Sequence, residues 1–125
     1  MENQAIARAV SAAKLPVVDF SAARLLKGVP WVETDDTAIA RMAVDHLLDR
    51  GFRHLAFTGN DAFNSSKWRQ RAFVVYAKEA GVDGHAHHTS KPVDWEERVS
   101  DLFRWLETLF KQLVGRTPHE EIERV

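Results

Sequence analysis

The chain has 125 residues, enough for one small domain or part of a larger one. It is 45% hydrophobic and 28% charged, with a formal net charge of -1 and a pI near 6.6, so a nucleic-acid role would need a local basic patch, and none stands out. The absence of cysteine excludes a disulfide framework, a thiol nucleophile and a Cys-based zinc site, and no apolar run approaches the ~20 residues that span a bilayer. The opening MENQAIARAV begins acidic and lacks the long apolar run of a secretory signal.

In chain order, residues 1 to 14 read as a helix with Ile6, Val10 and Ala13 on one side. LPVVDF, from Leu15 to Phe20, reads as a short strand, and SAARLLKG as a connection with a helical turn. VPWVET is short and extended, with a proline at its edge. From Asp36 to Arg50 apolar residues return at helical spacing (Ala40, Ala43, Val44, Leu47), and Gly51 stands where a helix-terminating glycine belongs. HLAFTG predicts a buried strand, NDAFNSSK a polar loop, and the stretch from Lys67 to Ala80 a second helix closed by Gly81. VDGHAHHTSKPVD is polar, with room for a short strand around His85 to His88. Trp95, Val99, Leu102, Phe103, Leu106 and Phe110 then share one helical face, expected to pack on the sheet, behind Asp94 as the N-cap and with Glu96 and Glu97 in the first turn. After Gly115, Thr117, Pro118 and Glu120 form T-P-x-E, a capping-box pattern that opens another helix.

Strands alternating with helices predict βαβ units: an α/β fold of three layers with a mostly parallel sheet. Ligands of such sheets bind at the loops leaving the carboxyl ends of strands. Two loops qualify, one with Thr34, Asp35 and Asp36, the other running from Asn60 to Arg69. Asp36 or Thr37 would serve as a helix N-cap, or one of the adjacent carboxylates would face the cleft and accept hydrogen bonds from a bound ligand. Arg69 offers a fixed fork of donors suited to paired hydroxyl oxygens, or is a solvated residue beside Lys67 and Arg71. Asn64 shares its loop. Phe63 or Trp68 would supply a stacking face, or belong to the core.

Other chemistries find less support. Adjacent Asp35 and Asp36 point in different directions, unlike the opposed carboxyl groups of a glycosidase. The six glycines are scattered, with neither a G-x-x-x-x-G-K phosphate loop nor a G-x-S-x-G elbow. His85, His87 and His88 form H-x-H-H, but no carboxylate accompanies them at a motif spacing, so they read as incidental histidines of a surface loop rather than a metal site. A small flavodoxin-like enzyme or metal-binding domain using Asp35, Asp36 and the His85–His88 cluster stands as the alternative reading.

The order D-D, H-L, R-G-F-R-H-L-A-F-x-G, R-x-x-A-F resembles the sugar-binding domain of LacI/GalR-type regulators, which share the periplasmic-binding-protein fold. With Trp31, Lys67, Trp68 and Arg69 it is most similar to the xylose operon regulators, which carry this domain ahead of an AraC-type DNA-binding domain. The resemblance covers roughly residues 15 to 109. It implies a cytoplasmic, non-enzymatic, pentose-responsive transcription regulator without a cofactor, binding D-xylose through Asp35, Asp36, Phe63, Asn64, Trp68 and Arg69. It makes Arg69, ten residues after Gly59, the ligand-facing arginine of R-x-x-[GA]-[FW]. It gives the His85–His88 segment no site. Residues 110–125 resemble the part of an AraC-type domain that leaves a recognition helix, where Lys111, Arg116 and Arg124 could meet phosphates of a complete domain. On that resemblance the expected organisation is a partial sugar-binding domain over 1–109 fused near Leu109–Phe110 to a fragment of the DNA-binding domain, with much of the family's chain missing between them. Weak sugar binding, no sequence-specific DNA binding by this chain alone, and association into a homodimer through exposed apolar surface follow as expectations.

Overall fold

The computed structural model describes residues 3–89 and 94–115. Helix α1 (Gln4–Ala12) starts at Asn3, whose side chain accepts hydrogen bonds from the backbone N–H of Ala5 and Ile6. The two stretches expected as the first strands, Leu15 to Phe20 and VPWVET, meet at a single parallel bridge, Asp19 with Trp31. It is held by Asp19 N–H to Pro30 O at 2.8 Å and Val32 N–H to Asp19 O at 2.9 Å. Neither extends into a ladder. Val18, Phe20, Trp31 and Val32 are all exposed, so no neighbouring layer rewards further pairing.

Helix α2 (Asp36–Asp49) follows, with Ala40 and Val44 one turn apart on its buried face. Strand β1 (His54–Asn60) leads into helix α3 (Asn64–Glu79) and then strand β2 (Asp83–Thr89), which lies parallel to β1. The register pairs His54 with Asp83, Ala56 with His85 and Thr58 with His87. Ala40, Val44, Leu55, Phe73 and Ala77 form the core, flanked by Leu47, Leu48, Phe57 and Val82. Phe57 and Phe73 meet with ring centroids 5.6 Å apart. Two glycines allow α3 to sit this close to the sheet. A Cβ on Gly84 would lie 2.9 Å from Ala77 Cβ, and one on Gly59 would lie 2.5 Å from Ser66 Oγ.

Helix α4 (Trp95–Val114) covers the opposite face, completing three layers. As expected, Asp94 is its N-cap, accepting from Glu97 N–H at 2.8 Å, and Gly115 closes it in the left-handed region. Its contact face matches the expected one only in part: Val99 and Leu102 are half-buried and line a cavity with Thr58, His87 and Thr89 at the sheet. Phe103 is 66% exposed, whereas Asp101 and Trp105 reach His87, the former at 2.9 Å and the latter with ring centroids 5.1 Å apart.

The structure corrects two further boundaries. Helix α3 begins at Asn64 rather than Lys67, because Phe63 is the extended residue before it and Phe63 O already accepts from Lys67 N–H. The short strand expected around His85 to His88 is present but longer: β2 runs from Asp83 to Thr89 as a full partner of β1, so these histidines belong to the sheet and not to a surface loop. The strand's small inward residues Gly84 and Ala86 hid the alternation that marks a half-buried strand. Helix α4 continues without interruption through Leu109 and Phe110, and Thr117, Pro118 and Glu120 lie outside the described residues.

Candidate functional site

The two loops singled out above meet in space, joined by an ion pair. Asp35 turned out to be the N-cap of α2, in place of Asp36 or Thr37: its Oδ1 accepts from Ala38 N–H at 2.9 Å. This fixes Asp36 as the first helical residue, with its side chain turned inward and only 9% exposed. Arg69, projecting from the first turns of α3, donates Nε–H to Asp36 Oδ1 at 2.6 Å and Nη2–H to Thr34 Oγ1 at 3.3 Å. A charge-assisted contact this short is stronger than a neutral hydrogen bond, and a carboxylate this buried requires such a partner.

Around this pair lie two open cavities. One, of about 560 Å³, is lined by Arg24, Glu33, Thr34, Asp35, Asp36, Thr37 and Trp68. The other, of about 570 Å³, is lined by Phe20, Ser21, Glu33, Thr34, Ser65 and Arg69, among others. Thr34 and Glu33 form the ridge between them. Of the six expected site residues, Asp35, Asp36 and Trp68 line the first cavity and Arg69 the second. Asn64 instead donates from Nδ2 to Ala22 O at 3.2 Å, tying α3 to the N-terminal segment. Phe63 is 43% exposed at the head of α3 and lines neither cavity.

The β1–α3 turn that presents Arg69 is itself fixed by side chains. Asn60 Oδ1 accepts from Ala62 N–H at 2.9 Å, and Ser66 Oγ accepts from Asn60 N–H at 2.9 Å. Arg24 and Glu33 are functional candidates that the sequence did not reveal. Arg24 pairs with Glu33, and its guanidinium lies 3.9 Å from the Trp31 ring centroid and 5.2 Å from that of Trp68. Its φ of 50° is in the left-handed region, an arrangement the ion pair and two indoles hold in place. Arg24 sits in a connection without periodicity, so no spacing marked it. The cavities therefore offer carboxylates, guanidinium groups, a threonine hydroxyl and an indole face: donors and acceptors for several hydroxyls, and an apolar surface for C–H groups.

A second side-chain group lies elsewhere. His54, Asp83 and His85 bring one potential ligand atom each to within 4.8 Å of one another. Neither Asp35, Asp36 nor His87 takes part in it, so the alternative ligand set drawn from Asp35, Asp36 and the histidine run does not assemble among the described residues. Those residues also contain no helix long and apolar enough to cross a membrane.

No family model matches the chain. It is similar to the xylose operon regulatory protein of Haemophilus influenzae, 32% identical over 92 residues that make up 64% of this chain and 22% of that protein. The xylose operon regulatory protein of Escherichia coli K12 is 27% identical over 118 residues, covering 86% of this chain and 30% of that protein. The chain thus spans less than a third of the length of these relatives. Among solved structures, a xylose-binding transcription activator superposes with a TM-score of 0.68 at 23% identity, covering 86% of this chain and 30% of the other. A periplasmic binding protein/LacI transcriptional regulator from Alkaliphilus metalliredigens complexed with D-xylulofuranose superposes with a TM-score of 0.55 at 22% identity, over 65% of this chain and 30% of the other. The expected fold is borne out: the chain has the α/β architecture of part of a LacI-type, periplasmic-binding-like lobe, and its sequence resembles the xylose operon regulators.

Proposed function

We propose that this chain is part of a sugar-responsive transcription regulator of the xylose operon type, and that it contributes one wall of the sugar site. The observation that carries this reading is the Asp36–Arg69 pair, which joins the start of α2 to the first turns of α3 beside cavities furnished with Trp68, Arg24, Glu33 and Thr34. Arg69 keeps further N–H donors beyond those used on Asp36 and Thr34, so it can hold a sugar hydroxyl without surrendering its partner. The ligand is a pentose, D-xylose by the resemblance, with Asp35, Asp36, Trp68 and Arg69 in contact and Phe63 and Asn64 shaping the loop. No reaction is catalysed: sugar acts by binding two states of the regulator with different affinity, which shifts their populations. The setting is the cytoplasm. Residues 110–125 are read as related to part of an AraC-type DNA-binding domain, as the resemblance implies.

The test is a tryptophan-fluorescence titration with D-xylose, with L-arabinose and D-glucose as controls. A saturable, xylose-selective change that disappears in Arg69→Ala, while the thermal melt remains cooperative, supports the reading. An unchanged signal from a cooperatively melting protein refutes sugar binding by this chain.

A further inference from the structure

In sequence, no carboxylate stands beside the histidines of β2 at a motif spacing. The strand pairing supplies one. In the parallel register His54 lies opposite Asp83, and Asp83 and His85 are two residues apart, so all three side chains emerge on one face of the sheet. His54 Nδ1 is 3.5 Å from Asp83 Oδ2, and a ring nitrogen of His85 completes a group whose ligand atoms all lie within 4.8 Å of one another. Ligand atoms held about 2.0–2.1 Å from a tetrahedral ion are about 3.4 Å apart, so the His54–Asp83 separation already suits a shared ion and the third ligand needs only a small rotation.

We propose that His54, Asp83 and His85 form a binding site for a divalent first-row transition metal of the zinc class, open to solvent in its remaining coordination position. Two imidazoles and one carboxylate match the donor preference of zinc, nickel and copper, and not the all-oxygen preference of magnesium or calcium. A second observation concerns His85 itself. Its Nε2 is buried with no hydrogen-bond partner among the described residues, so no protein group competes with a metal for that nitrogen. His54 and Asp83 have side chains 56% and 68% exposed, which leaves an entry path for a hydrated ion.

The site lies at the amino ends of both strands, whereas the sugar cavities lie beyond their carboxyl ends. A strand of this length separates the two by roughly 20 Å, so metal binding is independent of the sugar reading. Its consequence is structural. The ligands come from strands joined only through α3, so an ion here clamps β1 to β2 where the ladder begins and binds the folded chain in preference to the unfolded one.

The experiment is calorimetric titration of the full chain with zinc chloride, and separately with magnesium chloride, paired with thermal melts. The expected result is a saturable zinc isotherm of one ion per chain, a raised melting temperature, and no response to magnesium. Because His54 and Asp83 are exposed, His54→Ala and Asp83→Asn should fold as the parent does, and each should weaken zinc by at least the ~10–100-fold seen on losing even an outer-shell partner. His46→Ala, on α2, serves as the control and should change nothing. The proposal is overturned if zinc fails to raise the melting temperature, if binding survives both His54→Ala and Asp83→Asn, or if His46→Ala removes it.

Discussion

Helices α2 and α3 bury Ala40, Val44, Phe73 and Ala77 against Leu55 on one face of the sheet, with side chains no more than 4% exposed. Helix α4 meets the other face through the His87–Asp101 hydrogen bond and the Trp105 ring, and none of its described side chains is fully buried. The first face is held by close packing, which is non-directional and collective. The second is held by a few directed contacts, with Phe103 and Leu106 left at the surface. Stability should therefore be concentrated on the α2–α3 side, and α4 should open more readily than the rest.

The strongest way to break this contrast is Phe73→Ala, which should cost about 3–5 kcal/mol in chemical denaturation, a loss expected for a large buried aromatic. A cost below about 1 kcal/mol would mean that the α2–α3 face is not the core. Gly84→Ala comes next, at about 1–3 kcal/mol, because the added methyl group meets Ala77 Cβ at 2.9 Å and α3 must move outward. His87→Ala removes the docking point of α4. Hydrogen exchange should accelerate along α4 while protection in β1 and α3 persists; equal acceleration everywhere would show that the two faces unfold together. Phe103→Ser should change stability by less than about 0.5 kcal/mol, as for an ordinary surface position.

The smallest effect is a titration. Tyr76, the one tyrosine of the chain, has its phenol raised above the ordinary value near 10, chiefly by donating its hydrogen bond to Asp45 at 2.9 Å. A raised phenol contributes stability that is present below the unfolded-state value and is lost as the pH climbs through the folded-state one. Asp45→Asn should return the phenolate absorbance titration toward the ordinary value, with little change in the melt at neutral pH.

Helices α1, α2 and α4 were legible because 3.6-residue periodicity and capping residues act over one or two turns, and Asp94, Gly51 and Gly115 fall where local chemistry places them. The candidate loops were also legible, since strand ends and helix starts can be read locally. The Arg69–Asp36 contact could only be expected through resemblance. Residues 33 apart meet because α2 and α3 pack side by side, and that depends on Ala40, Val44, Phe73 and Ala77 fitting together. Arg24 was invisible because its position depends on Glu33, Trp31 and Trp68, none of which fixes it by spacing.

Local sequence thus determined where the helices run, where strand β1 lies and which loops could carry chemistry, because capping, turn formation and periodic burial are short-range effects. Tertiary structure alone decided that β2 pairs with β1 over its whole length, that α4 meets His87 through Asp101 and Trp105 while Phe103 stays outside, and that His54 stands beside Asp83. Strand register is a long-range choice, made when inward-facing Leu55, Phe57, Gly84 and Ala86 find their place beneath α3, and every outward-facing side chain follows from it.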